Sequence, residues 1–196
     1  MPNSHPELHC GPLVLRLPHP DEAQELFALA SDPELSRYLQ WPAHRSVSDS
    51  SAYIADTHLL WERRTAFLPS IYERATGAMV GSIGISGIEW THRRAELGTW
   101  IGIPWQGKGF NIPAKAAMFA FGFSVLQLHR LEMLARSDNQ QSLAALRKLP
   151  GVRHEGTLHD RLWQGEQPYD AELFALTADR WLPREWPDAT IPPGLP

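Results

Sequence analysis

An alternating strand, Ala95 to Ile103, runs through Trp105-Gln106-Gly107-Lys108-Gly109-Phe110-Asn111 into a mostly apolar helix that ends near Leu126, and no other stretch restricts the chain so tightly. Glycines between a strand and a helix let the backbone take positive φ and approach a ligand, so that successive N–H groups converge on one anion. The helix adds the open amides and partial positive charge of its N-terminus, and Lys108 adds a formal charge. The same pattern also suits a turn that only joins strand to helix, and the loop alone leaves both readings open. Pro113 has no N–H and fits only a first turn, so the helix should start between Gly109 and Asn111.

Two better-known phosphate loops fail on single residues. Gly102-Ile103-Pro104-Trp105-Gln106-Gly107-Lys108 approaches the nucleoside-triphosphate loop, but Gly109 stands where Ser or Thr must hold Mg²⁺. The dinucleotide fingerprint fails at Ile112, which occupies the place of its third glycine. Nucleotide hydrolysis is therefore disfavoured.

The rest of the chain reads as alternating short elements. Leu13 to Leu17 is a strand and Asp21 to Ala30 a helix; Asp32 to Arg45 is loop-rich or broken helix. Tyr53, Ile54, Thr57, Leu60 and Trp61 recur at helical spacing within Ser48 to Arg64, with Ser48 or Asp49 as the cap. Phe67 to Glu73 and Met79 to Ile88 flank the turn Ala75-Thr76-Gly77 as a hairpin. After the apolar helix come a strand at Arg130 to Arg136, a helix from Asn139 to Leu149, and a strand pair, Val152 to Leu158 and Tyr169 to Thr177. This order is α+β, or mixed α/β, with mostly antiparallel strands because most connections are short. Residues 1–180 are expected to form one domain, and 181–196 a Pro- and Trp-rich tail that packs back through Trp181 and Trp186.

Composition removes several function classes. With 196 residues, one core is affordable and two are not. A formal net charge of −4 gives no surface for a nucleic-acid backbone, no apolar run reaches membrane-span length, and Met1 to Gly11 lacks a signal-peptide pattern. The single cysteine, Cys10, excludes an internal disulfide framework and a cysteine-based zinc site, so a cytoplasmic address is expected. Nine histidines without paired spacing argue against a metal centre.

Taken in order, Gly98-Thr99-Trp100-Ile101, Pro104 to Asn111, Leu128-His129-Arg130-Leu131-Glu132, Ser137-Asp138-Asn139-Gln140-Gln141-Ser142, Lys148-Leu149 with Gly151, and His154-Glu155-Gly156 resemble the GNAT superfamily of acetyl-CoA-dependent N-acyltransferases. The branch they most resemble is that of the RimJ/RimL-like ribosomal-protein N-terminal acetyltransferases. Departures lie at Pro104, at Ile112-Pro113 and at Pro150, which looks like a one-residue insertion. The resemblance implies the GNAT fold, a central sheet of six to seven strands flanked by about four helices. It implies acetyl-CoA as cosubstrate, held between the strands Ala95–Ile103 and Arg130–Arg136. Backbone near Trp100, Ile101 and Ile103 would pair with the pantetheine, and Gln106, Gly107, Lys108, Gly109, Phe110 and Asn111 would hold the pyrophosphate.

The implied reaction is direct attack of a primary amine, on a protein N-terminus or a small molecule, upon the thioester. It needs a route for the amine's proton and an acid for the leaving thiolate. Glu96 shares a strand face with Gly98 and Trp100 and is the candidate for the proton route, with Glu132 second; a surface or salt-bridged carboxylate beside Arg93 and Arg94 is the competing account. By resemblance Asn139 orients a water or the pantetheine, and Ser142 bonds the CoA sulfur and protonates it. The plainer account makes Asn139 a helix N-cap. Arg130 and Arg136 are within sequence reach of the CoA 3′-phosphate, although solvated strand-end charges are the default. Trp41, Trp61, Trp90 and Trp105 are core or groove-rim residues, with an acceptor-pocket role as the alternative. A GNAT-fold module that binds acyl-CoA or a protein without turnover is the second functional reading; the oligomeric state stays open, with a homodimer packed through the tail as one option.

Overall fold

The computed structural model describes residues 7–183 and 189–190. Nine strands form one sheet. In chain order they are β1 (Leu8–Cys10), β2 (Leu13–Arg16), β3 (Ser70–Glu73), β4 (Met79–Glu89), β5 (Arg94–Ile101), β6 (Arg130–Arg136), β7 (Arg153–Gln164), β8 (Gln167–Thr177) and β9 (Ala189–Thr190). Their spatial order is β7-β8-β6-β5-β4-β3-β2-β1-β9. The expected six to seven strands fall short because β1 and β9, three and two residues long, are too brief to show alternation. β9 pairs with β1, so Ala189 and Thr190 of the tail border the sheet. Trp181 packs on Phe123 with ring centroids 5.5 Å apart, whereas Trp186 lies outside the described residues.

Five helices accompany the sheet: α1 (Ala23–Ala30), α2 (Pro33–Ser36), α3 (Val47–Glu62), α4 (Asn111–Ala120) and α5 (Gln140–Leu146). The α3 cap is Ser46 rather than Ser48 or Asp49. Ser46 and Asp49 form a reciprocal capping box, so the acidic residue is its third position and not the cap. Helix α4 starts at Asn111, within the limits that Pro113 sets, and unwinds into a wider turn at Phe121–Val125. Every α4 residue from Pro113 to Ala120 is buried. Its alanines let it lie close to the sheet, above a core that includes Leu15, Ile83, Leu97, Leu131 and Phe174. A Cβ on Gly122 would come within 2.8 Å of Leu131, so the approach is already tight there. A smaller cluster of Leu26, Ala30, Ile54, Tyr72 and Met79 packs beneath α1 and α3.

The strand pair near the C-terminal end is longer than expected. β7 runs to Gln164 through two register shifts, with positive φ at Gly156 (146°) and Asp160 (50°). Irregular pairing and polar residues hide the alternation that would have revealed it.

Candidate active site

All described strand pairings are antiparallel except β5 with β6, whose connection through α4 is the long crossover that parallel pairing requires. That pair covers only Arg94–Glu96 against Arg130–Glu132. Beyond it β5 stays bonded to β4 as far as Ile101, and β6 to β8 as far as Arg136. The two strands therefore part like a V and leave two facing edges that do not bond each other. A cleft of about 790 Å³ lies beside the parted end of β5, lined by Thr99 to Ile101 and by residues of α2, α4 and α5.

The glycine loop closes one side of this cleft. Ile103–Trp105 makes a single tight turn, and Gly107 and Gly109 follow with φ of 76° and 83°. A Cβ on either would meet nothing within 4 Å, so backbone conformation, not crowding, is what asks for glycine. Phe110 is the α4 N-cap and offers no side-chain acceptor, which leaves first-turn amides available to an anion. Gln106 donates to the Ile101 carbonyl at 3.0 Å and accepts from Gln141 at 3.3 Å, so a polar bridge crosses from the loop to α5.

Of the residues expected here, Trp100, Ile101, Ile103, Gln106, Gly107, Gly109, Phe110, Asn111, Asn139 and Ser142 all line the cleft. Ile103 belongs to the turn and not to the strand, because β5 ends at Ile101. Lys108 does not line the cleft: its Nζ lies 4.2 Å from the centre of the Trp105 ring. Glu96 stands outside as well, three residues before Thr99, the first β5 residue of the lining.

Glu96 is the last β5 residue paired with β6, directly opposite Glu132. Of the competing account, the salt bridge to Arg93 or Arg94 is not formed among the described residues. Arg94 bonds Glu89 and Glu132, Arg93 donates to the Gln127 carbonyl, and among the described residues Glu96 has no ion-pair partner. Burial pushes the Glu96 carboxyl above the usual range; Arg161 opposes the shift and Glu132 adds to it. Glu132, the second candidate, is held by Arg130 at 2.7 Å and Arg94 at 3.4 Å and is thereby committed as an ion-pair partner.

Asn139 is the N-cap of α5, its side-chain oxygen accepting from the Ser142 amide at 3.1 Å. The plainer account of Asn139 is thus what the geometry displays, although both residues border the cleft. Arg130 and Arg136 face other tasks than a 3′-phosphate. Arg130 is bonded to Glu132 and Glu155. Arg136 is nearly buried, bonds Asp138 and Gln164, and stacks 3.4 Å from the Tyr169 ring centre.

Sequence reasoning missed Lys115. It lines the cleft from α4 with Nζ fully enclosed, donating to Thr99 Oγ1 and Asn111 Oδ1, both at 2.8 Å. Burial alone lowers its pKa to about 7. The signal was present: a lone lysine in an otherwise apolar helix, four residues after Asn111.

A second cavity of about 240 Å³ lies on the Trp100 side, lined by Leu26, Ala30, Trp41, His44, Tyr53 and Trp100. Trp41 and Trp100 meet edge to face at 5.9 Å. Burial lowers the His44 pKa, which favours the neutral ring, and Nδ1 lies 2.8 Å from Ser50 Oγ. Of the other tryptophans, Trp61 is core, Trp105 borders the cleft, and Trp90 is exposed beside Arg64. Among the described residues no cluster of His, Cys, Asp or Glu is arranged to hold a metal, and no helix is long and apolar enough to cross a membrane.

Comparisons with known proteins agree with this geometry. A family model described as an acetyltransferase (GNAT) domain matches residues 12–151. The uncharacterized N-acetyltransferase YoaA of Bacillus subtilis is 30% identical over 89% of this chain and 98% of its own. A Vibrio cholerae structure provisionally named as a ribosomal-protein-serine acetyltransferase is 31% identical, with a TM-score of 0.76 over 87% of this chain and 97% of that one. Spermidine N-acetyltransferase from Vibrio cholerae, in complex with CoA and spermine, shares the fold at 18% identity, with a TM-score of 0.74 over 86% of this chain and 97% of that one.

Proposed function

The chain belongs to the acetyltransferase (GNAT) domain family, and from that premise we propose that its V-shaped cleft presents acetyl-CoA to an amine delivered from the Trp100 side. It is an acetyl-CoA-dependent N-acetyltransferase. The observation that carries the proposal is the early end of the β5–β6 pairing at Glu96 and Glu132, which opens the sheet between a glycine loop and α5.

Acetyl-CoA supplies an acetyl group already activated as a thioester. The chain's residues do the rest. Amides of Gly107 to Asn111 hold the pyrophosphate, and the parted edge at Trp100 and Ile101 aligns the pantetheine. Glu96, its pKa raised by burial, accepts a proton from the incoming ammonium through water. The freed amine would attack the thioester carbon, and as the C–S bond breaks the Ser142 hydroxyl would give a proton to the departing sulfur and regain one from the new amide nitrogen. Asn139 keeps Ser142 in place by capping α5.

The acceptor we favour is a primary amine next to an apolar or aromatic group, such as the α-amino group of a protein N-terminus. Strand alternation puts Glu96, Gly98 and Trp100 on one face, and the cavity beyond Trp100 is aromatic, with a neutral histidine and no carboxylate in its lining. A polyamine would need anionic groups there. Residues 1–180 serve as the acyltransferase domain in this reading and 181–196 as a tail on which a second copy would pack. We place the enzyme in the cytoplasm. Thiol release from acetyl-CoA, measured over peptides with apolar N-termini, peptides with charged N-termini, and polyamines, tests the assignment. Turnover is expected with the first group; turnover with polyamines alone would reverse the choice of acceptor, and none with any amine would favour the non-catalytic module.

A further inference from the structure

Lys115 is the most heavily buried cationic side chain bordering the cleft, at 5% exposure. An ammonium carries three donors. Two of them are used, both on neutral oxygens, Thr99 Oγ1 on β5 and Asn111 Oδ1 on the first residue of α4. No carboxylate compensates it. Its own helix holds no other charged side chain, and β5 turns the Glu96 face away from the Thr99 face. Across the cleft stand Glu34 and Arg37 at the α2 side and Lys148 beyond α5, while Lys108 is turned onto Trp105. Burial without a counter-charge is accordingly the single cause that lowers its pKa.

A side chain on a helix leans toward the helix N-terminus. Lys115 does so and brings its Nζ to Asn111, beneath the turn whose open amides follow Gly107 and Gly109. An enclosed cation with one donor to spare is costly unless an anion meets it. We propose that Lys115 is a further binding residue, receiving the diphosphate of coenzyme A from beneath the first turn of α4 and taking up a proton as the ligand enters. The proposal rests on the cofactor reading above. Above pH 7 it gives the cleft a charge that comes mostly with its ligand, so the free protein there avoids most of the cost of a buried ammonium.

Calorimetric titration of 3′-dephospho-coenzyme A near pH 8, in two buffers with different ionisation heats, tests this. That probe keeps the diphosphate but lacks the phosphate monoester, which titrates near neutrality. Wild type should take up roughly one proton per ligand bound. Lys115→Met should take up none and bind about 10- to 100-fold more weakly, while pantetheine, which has no phosphate, should bind both proteins alike without uptake. If the Met variant fails to fold, Lys115→Gln carries the same expectation. Binding without proton uptake in wild type, or uptake that persists in the variant, overturns the proposal and leaves the cofactor reading standing. No binding of the probe or of coenzyme A to wild type overturns both.

Discussion

Glu96 and Glu132 face each other on the last rung between two parallel strands, and only Glu132 is neutralised. Arg94 and Arg130 converge on Glu132 and leave Glu96 half-buried, raised in pKa and, among the described residues, without an ion-pair partner where the sheet opens. That asymmetry distinguishes a structural carboxylate from one able to handle a proton.

Glu96→Gln should lower kcat by about 10²- to 10⁴-fold, the range for loss of a general base, with little change in acetyl-CoA binding. In wild type the ionised carboxylate is the active form. Because its pKa is raised, activity should fall on the acid side with an inflection above the ordinary carboxylate value. The variant should lack that limb; steady-state pH profiles of both proteins check it.

Without ligand, Lys115 should make the fold pH-dependent. Its folded pKa of about 7 lies below the ordinary 10.5, so above pH 7 the unfolded chain binds a proton that the folded chain does not. Stability should therefore rise as pH goes from 7 toward 10, by a few kcal/mol on the order of 1.4 kcal/mol per unit. Lys115→Met should lose this slope and be more stable than wild type at pH 7. Urea unfolding at several pH values measures the difference between the two proteins.

Asn139→Ala removes the side-chain oxygen that caps α5 and should cost about 1 kcal/mol, lowering Tm by roughly 2–4 °C. Asn139→Ser restores a capping oxygen and should recover most of that loss. A Tm unchanged by the alanine would show that the cap carries little weight. Ser142→Ala should leave Tm nearly unchanged and lower kcat, a contrast that separates the two neighbours.

Gly109→Ala places a Cβ in open space but forces a φ of 83° on an L-residue, at a cost of about 1–2 kcal/mol. It should fold and bind coenzyme A more weakly. Gly81→Ala is different in kind: its Cβ would stand 2.2 Å from the Trp100 carbonyl and push β4 from β5. That variant should be severely destabilised, and thermal unfolding of the pair shows the contrast.

The sequence made the cleft's first wall legible because strand, glycine loop and helix are contiguous, and local chemistry sets positive φ at Gly107 and Gly109. It also placed Asn139 and Ser142 beside the same cleft through the resemblance. What it could not give depended on register. Whether Arg94 would pair with Glu96 or Glu132 is decided by β5–β6 alignment across the long crossover from Ile101 to Arg130. Arg136 read by default as a solvated strand-end charge, because the distant Gln164 and Tyr169 that help to bury it cannot be placed beside it from sequence. Lys115 was hidden for the opposite reason: in a helix buried on several faces, one polar residue gives no periodic signal.

Hydrogen–deuterium exchange with and without acetyl-CoA tests the V-shaped cleft most directly. Slowed exchange is expected at the amides following Gly107 through Ile112, along β5 from Thr99 to Ile101, and in the first turn of α5. Protection confined to the cavity of Trp41, His44 and Tyr53, or none at saturating acetyl-CoA, would contradict the account.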